Sequence, residues 1–197
     1  MSTDIVTNIN GYVKYSVLRN GNLIDSGETH NMVVFSSRAL IAKVASGYDE
    51  ISSPEKFGPI KLMAIGSGST ATKITDTQLE NELYRQNIAV ANTSLTAETG
   101  NIVTATSTSV TLTIRTKLTP FSGSTGFPAS ALSGSVTISE FGLLGGFDST
   151  QTSTPPGDFG SSTAGIKGTL FNRALIGPVL ISPPSDTLLI ENIITWG

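Results

Sequence analysis

The sequence predicts a mainly β protein, an antiparallel β-sandwich or barrel with one or two short helices and two long loops. Three observations carry that prediction. Apolar residues alternate with polar ones over several runs, of which Val110, Leu112, Ile114 and Thr116 form the cleanest. Turn formers separate the runs, above all Asn20-Gly21, a pair suited to two successive positive-φ positions. Only 14% of the 197 residues are charged, against about 25% in an average chain. Ser, Thr, Asn and Gly fill the gap, and threonine suits strand faces.

Taken in order, Tyr12 to Leu18 is the first strand and Asn20-Gly21 reverses it. Leu23-Ile24 and Met32 to Phe35 continue the sheet, with Gly27 marking a second turn or a bulge. From Ser36 to Ser46 the period becomes helical, because Leu40, Ile41 and Val44 share one face. Ser36 or Ser37 is placed to cap that helix and Gly47 to end it. After a loop over 48–59, Ile60 to Ile65 is a strand that enters Gly66-Ser67-Gly68-Ser69-Thr70. Thr77 and Glu80 have capping-box spacing, which predicts one or two helical turns with Leu79 and Leu83 facing inward.

Two long strands then follow, Gln86 to Leu95 and Ile102 to Leu118, with the turn between them at Thr96 to Asn101. Residues 119–133 are a Gly/Ser/Pro loop, Val136 to Leu144 a strand, and 148–165 a second excursion. Ile166 to Ile176 and Thr187 to Trp196 are the last strands. Pro178, Pro183 and Pro184 confine the stretch between them to a loop or an edge. A change of phase in the final alternation predicts a bulge near Glu191-Asn192. Residues 1–197 thus read as a single β-rich domain with long excursions at 119–133 and 148–165.

The composition excludes several classes of function. With no cysteine there is no disulfide, thiolate metal site or cysteine nucleophile. A net charge of -3 with scattered Lys and Arg argues against a nucleic-acid partner. No apolar run approaches the roughly 18 residues of a membrane span, and Met1 to Asn8 lacks the basic-then-apolar pattern of a secretion signal. His30 is the single histidine, with no carboxylate beside it to orient a base. The Gly66–Thr70 turn has the look of a phosphate cradle, yet no Gly-Lys-Ser/Thr follows and the parallel βαβ context is missing. Glu80 and Glu82, two apart, face different ways. No residue is assigned a catalytic, cofactor-binding or metal-binding role.

Glu140 lies inside an apolar strand and must be paired or outward-facing, with Arg173 or Arg115 as the partners of suitable type. Glu140, Arg173 and Arg115 are therefore the candidate structural ion pairs, with Glu80 or Glu82 and Arg85 as another. Phe121, Phe127 and Phe159 sit on the two long loops. An aromatic ring there either folds back on its own core or inserts into a neighbour, so these three are candidate interface residues.

Several stretches, in order, resemble a known pattern: Asn31 to Ala42; Met63 to Thr72 followed by Thr75 to Arg85; Ile138 to Leu144; and Gly168 to Arg173 with Ser185 to Leu188. They include an Ile-Gly-x-Gly-x-Thr turn, a Thr-Asp-Thr-x-Leu-x-x-Glu segment, a Glu-x-Gly-Leu strand and a Gly-Thr-Leu-x-x-Arg strand. This combination resembles a family of tailed-bacteriophage virion proteins, tail- or fibre-associated, over roughly residues 10 to 197. The resemblance implies a non-enzymatic, β-rich subunit of the virion, assembled in the host bacterial cytoplasm. The resemblance does not fix the position in the particle: a tail or baseplate component or a fibre adapter is the leading expectation, with capsid decoration as the alternative. A host-surface carbohydrate-binding module is the remaining alternative. The expected partners are other virion proteins and further copies of the chain, a trimer first among them. Neither nucleic acid nor a membrane is expected.

Overall fold

Asn20 and Gly21 adopt φ values of 51° and 82°, the left-handed pair that a two-residue hairpin turn requires. They join β1 (Ile9–Arg19) to β2 (Asn22–Val33). In this computed structural model the described residues are 9–38, 41, 60–88, 100–118, 135–145, 169–182 and 185–197. The other strands are β3 (Ile60–Gly66), β4 (Glu82–Asn87), β5 (Gly100–Ala105), β6 (Val110–Leu118), β7 (Val136–Gly145), β8 (Thr169–Ile181) and β9 (Asp186–Trp196). The protein is mainly antiparallel β, as the alternation predicts. Among the described residues one nine-stranded sheet runs in the order β4-β3-β7-β8-β2-β1-β9-β6-β5.

That sheet folds back on itself at β2. Tyr12 to Arg19 of β1 pair with residues 22–30 of β2, and only Asn31 to Val33 of β2 pair with β8. Strands β5, β6, β9 and β1 form one half, and β8, β7, β3 and β4 the other. Val13, Val17, Ile114, Leu118, Leu188, Ile190 and Ile194 of the first half bury against Met63, Ile65, Tyr84, Ile138, Phe141, Phe171 and Val179 of the second. One apolar core therefore lies between two faces, which is a sandwich joined along one side. Asn172 of β8 donates to Asn192 of β9 across that core at 3.2 Å.

Behind the second half lies a smaller core of Val34, Ala64, Leu79, Leu144 and Leu170. It explains why residues 138–145 of β7 are buried on both faces. The covering layer is the segment between β3 and β4.

Several elements differ from the expected pattern. Residues 35–38 and 41 are helical, and both serine hydroxyls at the start of that turn donate to carbonyls. Ser36 Oγ donates to the Leu170 carbonyl at 2.7 Å and Ser37 Oγ to the Val34 carbonyl at 2.6 Å. The segment 77–81 is not helical, because the amides of Glu80 and Asn81 are taken by a distant carboxylate. The expected strand Ile102 to Leu118 is two strands, β5 and β6. Between them Thr106 Oγ1 accepts the Ser109 amide at 3.0 Å and closes a hydroxyl turn. The bulge expected near Glu191-Asn192 is absent, since β9 pairs in unbroken register with β1 and β6. Asn192, fully buried, occupies an inward position of that strand. Pro178 belongs to β8, where the register against β7 slips between Ile138 and Glu140 and leaves residues 176–178 bulged. Gly27 interrupts nothing: it sits opposite Tyr15, whose ring lies where a β-carbon would be.

Candidate functional site

The densest polar cluster among the described residues lies under the segment between β3 and β4, on the outer face of β7 and β8. Glu140 stands at its centre, fully buried. Its Oε1 accepts the amides of Gly68 at 3.0 Å and Asn81 at 2.8 Å, and its Oε2 accepts the amide of Glu80 at 3.1 Å. Arg173 Nε donates to the same Oε2 at 2.9 Å. The carboxylate thus closes both ends of the loop onto the sheet.

The loop is built for this approach. A β-carbon on Gly66 or Gly68 would lie 2.5 Å from Glu140 Oε1, so both positions require glycine. Ser139 Oγ donates to the Gly68 carbonyl at 2.8 Å. Gly142, next on the same face of β7, leaves room for the Leu79 side chain, which a β-carbon would meet at 2.9 Å.

Arg173 is only 3% exposed and its guanidinium is shared among three carboxylates. Besides Glu140 it reaches Asp76 Oδ2 at 2.9 Å through Nη1 and Glu80 Oε2 at 3.3 Å through Nη2. Burial works against its charged form, but the bonds to Asp76 and Glu140 outweigh burial, and the pKa stands above the usual arginine value. Glu80 also accepts the Ser69 and Thr70 amides at 2.8 and 2.7 Å and the Thr70 hydroxyl at 2.6 Å. The Thr70 hydroxyl is the main reason that its pKa is lowered.

The amides of Gly68, Ser69 and Thr70, which gave this turn the look of a phosphate cradle, are therefore all bound to the protein's own carboxylates. Ser67 N, the next amide upstream, bonds the Asn81 carbonyl at 3.0 Å. Beside the cluster lies an open hollow of about 290 Å³ lined by Thr70, Lys73, Asp76, Gln78, Glu80 and Arg173. Each Arg173 nitrogen that reaches toward it is already engaged, so an anionic ligand there would have to displace Asp76 or Glu80. Among the described residues no group of three or more acidic, histidine or cysteine side chains is arranged to hold a metal ion.

The remaining candidates fall elsewhere. Arg115 is not a partner of Glu140: it bonds Glu191 across the β6–β9 ladder, with Nε to Oε2 at 2.8 Å. Arg85 pairs with Glu82, Nη2 to Oε2 at 2.6 Å. His30 is exposed on β2, its ring 4.4 Å from that of Tyr12. Trp196 is half-buried against the main core. Phe121, Phe127 and Phe159 lie outside the described residues.

The sequence reading did not single out Asp76 as a partner of Arg173, although it lies in the Thr-Asp-Thr segment. It also passed over Asp186, which is fully buried. Asp186 accepts from Arg19 at 2.7 and 2.8 Å and from the Ser182 amide at 2.8 Å. Arg19 is the chief cause that lowers the Asp186 carboxyl to about 2. Its only sequence signal was a carboxylate two residues after the Pro183-Pro184 pair.

Comparison with protein-family models, with curated proteins and with solved structures finds no match to this chain.

Proposed function

We propose that the chain is a non-catalytic structural subunit of a tailed-phage particle, assembling through protein–protein contacts as a tail, baseplate or fibre-adapter component. One observation carries the reading. The motifs that resemble the virion family (the Gly66–Gly68 turn, the Asp76–Glu80 segment, Glu140 and Arg173) meet in a single internal staple. Their polar groups are consumed in fixing a loop to a sheet, which is the work of a scaffold. Val34 and Ser36, from the first of the resembling stretches, pack or bond against the same layer.

The composition supports the same reading. A chain with so little charge is weakly protected against association, and among the described strands β4 and β5 are the sheet edges, which offer themselves to neighbours.

The test is the copy number of the chain in purified particles, by quantitative mass spectrometry against the major capsid protein. A ratio of a few per cent supports a tail or baseplate component. A near-equal ratio moves the protein to the head surface as a decoration subunit. Absence from particles overturns the proposal.

A further inference from the structure

The outer face of the β2–β1–β9–β6 half carries a row of charges across four strands. Register places Glu28 opposite Lys14, Lys14 opposite Glu191 and Glu191 opposite Arg115. In space the row reads Glu28, Lys14, Glu191, Arg115, so its sign alternates minus, plus, minus, plus. Lys14 Nζ lies 3.4 Å from Glu28 Oε2, with both side chains about half exposed at 50% and 51%. Arg115 bonds Glu191. On one side the row is flanked by His30, Tyr12, Ile193 and Thr113, and on the other by Ser26, Ser16, Leu189 and Lys117, so that in the twofold described below Lys117 meets Ser26.

An even-numbered row of alternating sign has a particular symmetry. Turn it by a half-rotation about an axis parallel to the strands, passing between β1 and β9, and every charge lands on its opposite. Glu28 of one copy faces Arg115 of the other, and Lys14 faces Glu191. The same rotation sets Tyr12 against Ile193. A half-rotation about an axis across the strands lays the row on itself with like charges opposed.

We infer that this outer face is a twofold contact with a second copy of the same chain, the two sheets stacked with strands aligned. Such a contact is isologous, each patch meeting itself. Within one chain an exposed cross-strand pair such as Lys14–Glu28 contributes little stability. Between two chains they set orientation and reject wrong pairings. The face is large enough. Strands β1 and β9, 11 residues each, run about 35 Å at roughly 3.3 Å per residue, and four strands span about 19 Å. That outline, roughly 670 Å² before surface relief is counted, approaches the about 800 Å² per partner of a standard interface. A twofold contact of this kind also joins two trimers into a hexamer.

The inference rests on the assembly reading only for the premise that the chain associates with itself. Copy number in particles tests that reading separately, and the reading survives if self-association uses another face.

The deciding variant reverses the whole row: Glu28→Lys, Lys14→Glu, Glu191→Lys and Arg115→Glu. It keeps net charge, every pair within the chain and self-complementarity in the twofold. It loses complementarity only toward the wild type. An isotopically labelled wild-type chain is mixed with the reversed chain and the assemblies are weighed by native mass spectrometry at micromolar concentration. The expected result is two populations of self-pairs, with mixed pairs below about a tenth instead of the half that random pairing gives. Random mixing overturns the inference, as does a monomeric wild type or an assembly with an odd number of copies. If the reversed chain does not fold, Tyr12→Arg in the wild type serves instead. It is expected to separate the pair while leaving the circular dichroism unchanged, and a variant that stays paired overturns the inference.

Discussion

Glu140 accepts three backbone amides and one guanidinium nitrogen, and no part of it meets solvent. Charge-assisted bonds of this kind offset a desolvation cost of several kcal/mol, and the balance holds only while every partner is present. Glu140→Ala removes the acceptor of Arg173 Nε and of three amides at once. It is expected to lower stability by about 3–5 kcal/mol, read as a shift in the urea midpoint at constant slope; a midpoint within error of wild type would refute the staple. Asp186 supplies a pH test. Its carboxyl is held at about 2, below the ordinary 3.8. The unfolded chain therefore takes up the proton first as acid is added, and the stabilisation is complete above about pH 4 and lost toward pH 2. Asp186→Asn is expected to flatten that part of the stability–pH curve, and a variant curve parallel to wild type over this range would show the assignment to be mistaken. At this scale the sequence disclosed that Glu140 needs a partner, because a carboxylate inside an apolar strand has few other options. It did not decide between Arg173 and Arg115, since residue type is silent about which strands are neighbours. Arg115 turned out to lie on the other half of the sheet.

Strands were legible where alternation was uninterrupted, as in β6, and where Asn20-Gly21 left one choice of turn. They were misread where hydroxyl residues changed role. Thr106 to Ser109 has strand-like composition yet forms the turn between β5 and β6. The capping-box spacing at Thr77 and Glu80 promised a helix, but the amides such a helix would leave unpaired are bound to Glu140 across the fold, and tertiary contacts overrode the local signal. The last strand was misread for the opposite reason. A polar residue at an inward position, Asn192, produces the change of phase from which a bulge near Glu191-Asn192 was expected. Asn192 in fact points into the core, accepts from Asn172 and donates toward Met63 Sδ at 3.6 Å. The Asn172 side chain in turn accepts the Leu143 amide at 2.9 Å, so one amide chain ties both halves of the sheet. Asn192→Ala leaves the Asn172 donor unpaired and is expected to cost about 1–3 kcal/mol by chemical denaturation. An unchanged stability would mean that the bridge is dispensable.

For the molecule as a whole, composition and periodicity led to the fold class and could not lead to the strand order. The reason is β2. Its first part belongs to one half and its last three paired residues to the other, and nothing in a run of residues announces where a strand changes neighbours. The covering layer over β7 and β8 was equally hidden, because it consists of loop residues whose purpose appears only when Glu140 and Arg173 lie beneath them. A further consequence concerns time. β1, the first described strand to leave a ribosome, has the last one, β9, as its neighbour along its full length. The 167 residues separating Arg19 from Asp186 take roughly 8–33 s to synthesise at about 5–20 residues per second. Throughout that interval the β1–β2 hairpin must wait with one side unfilled, so the sheet closes only once β9 has been made, and a nascent chain is open to capture by its neighbours on the same message.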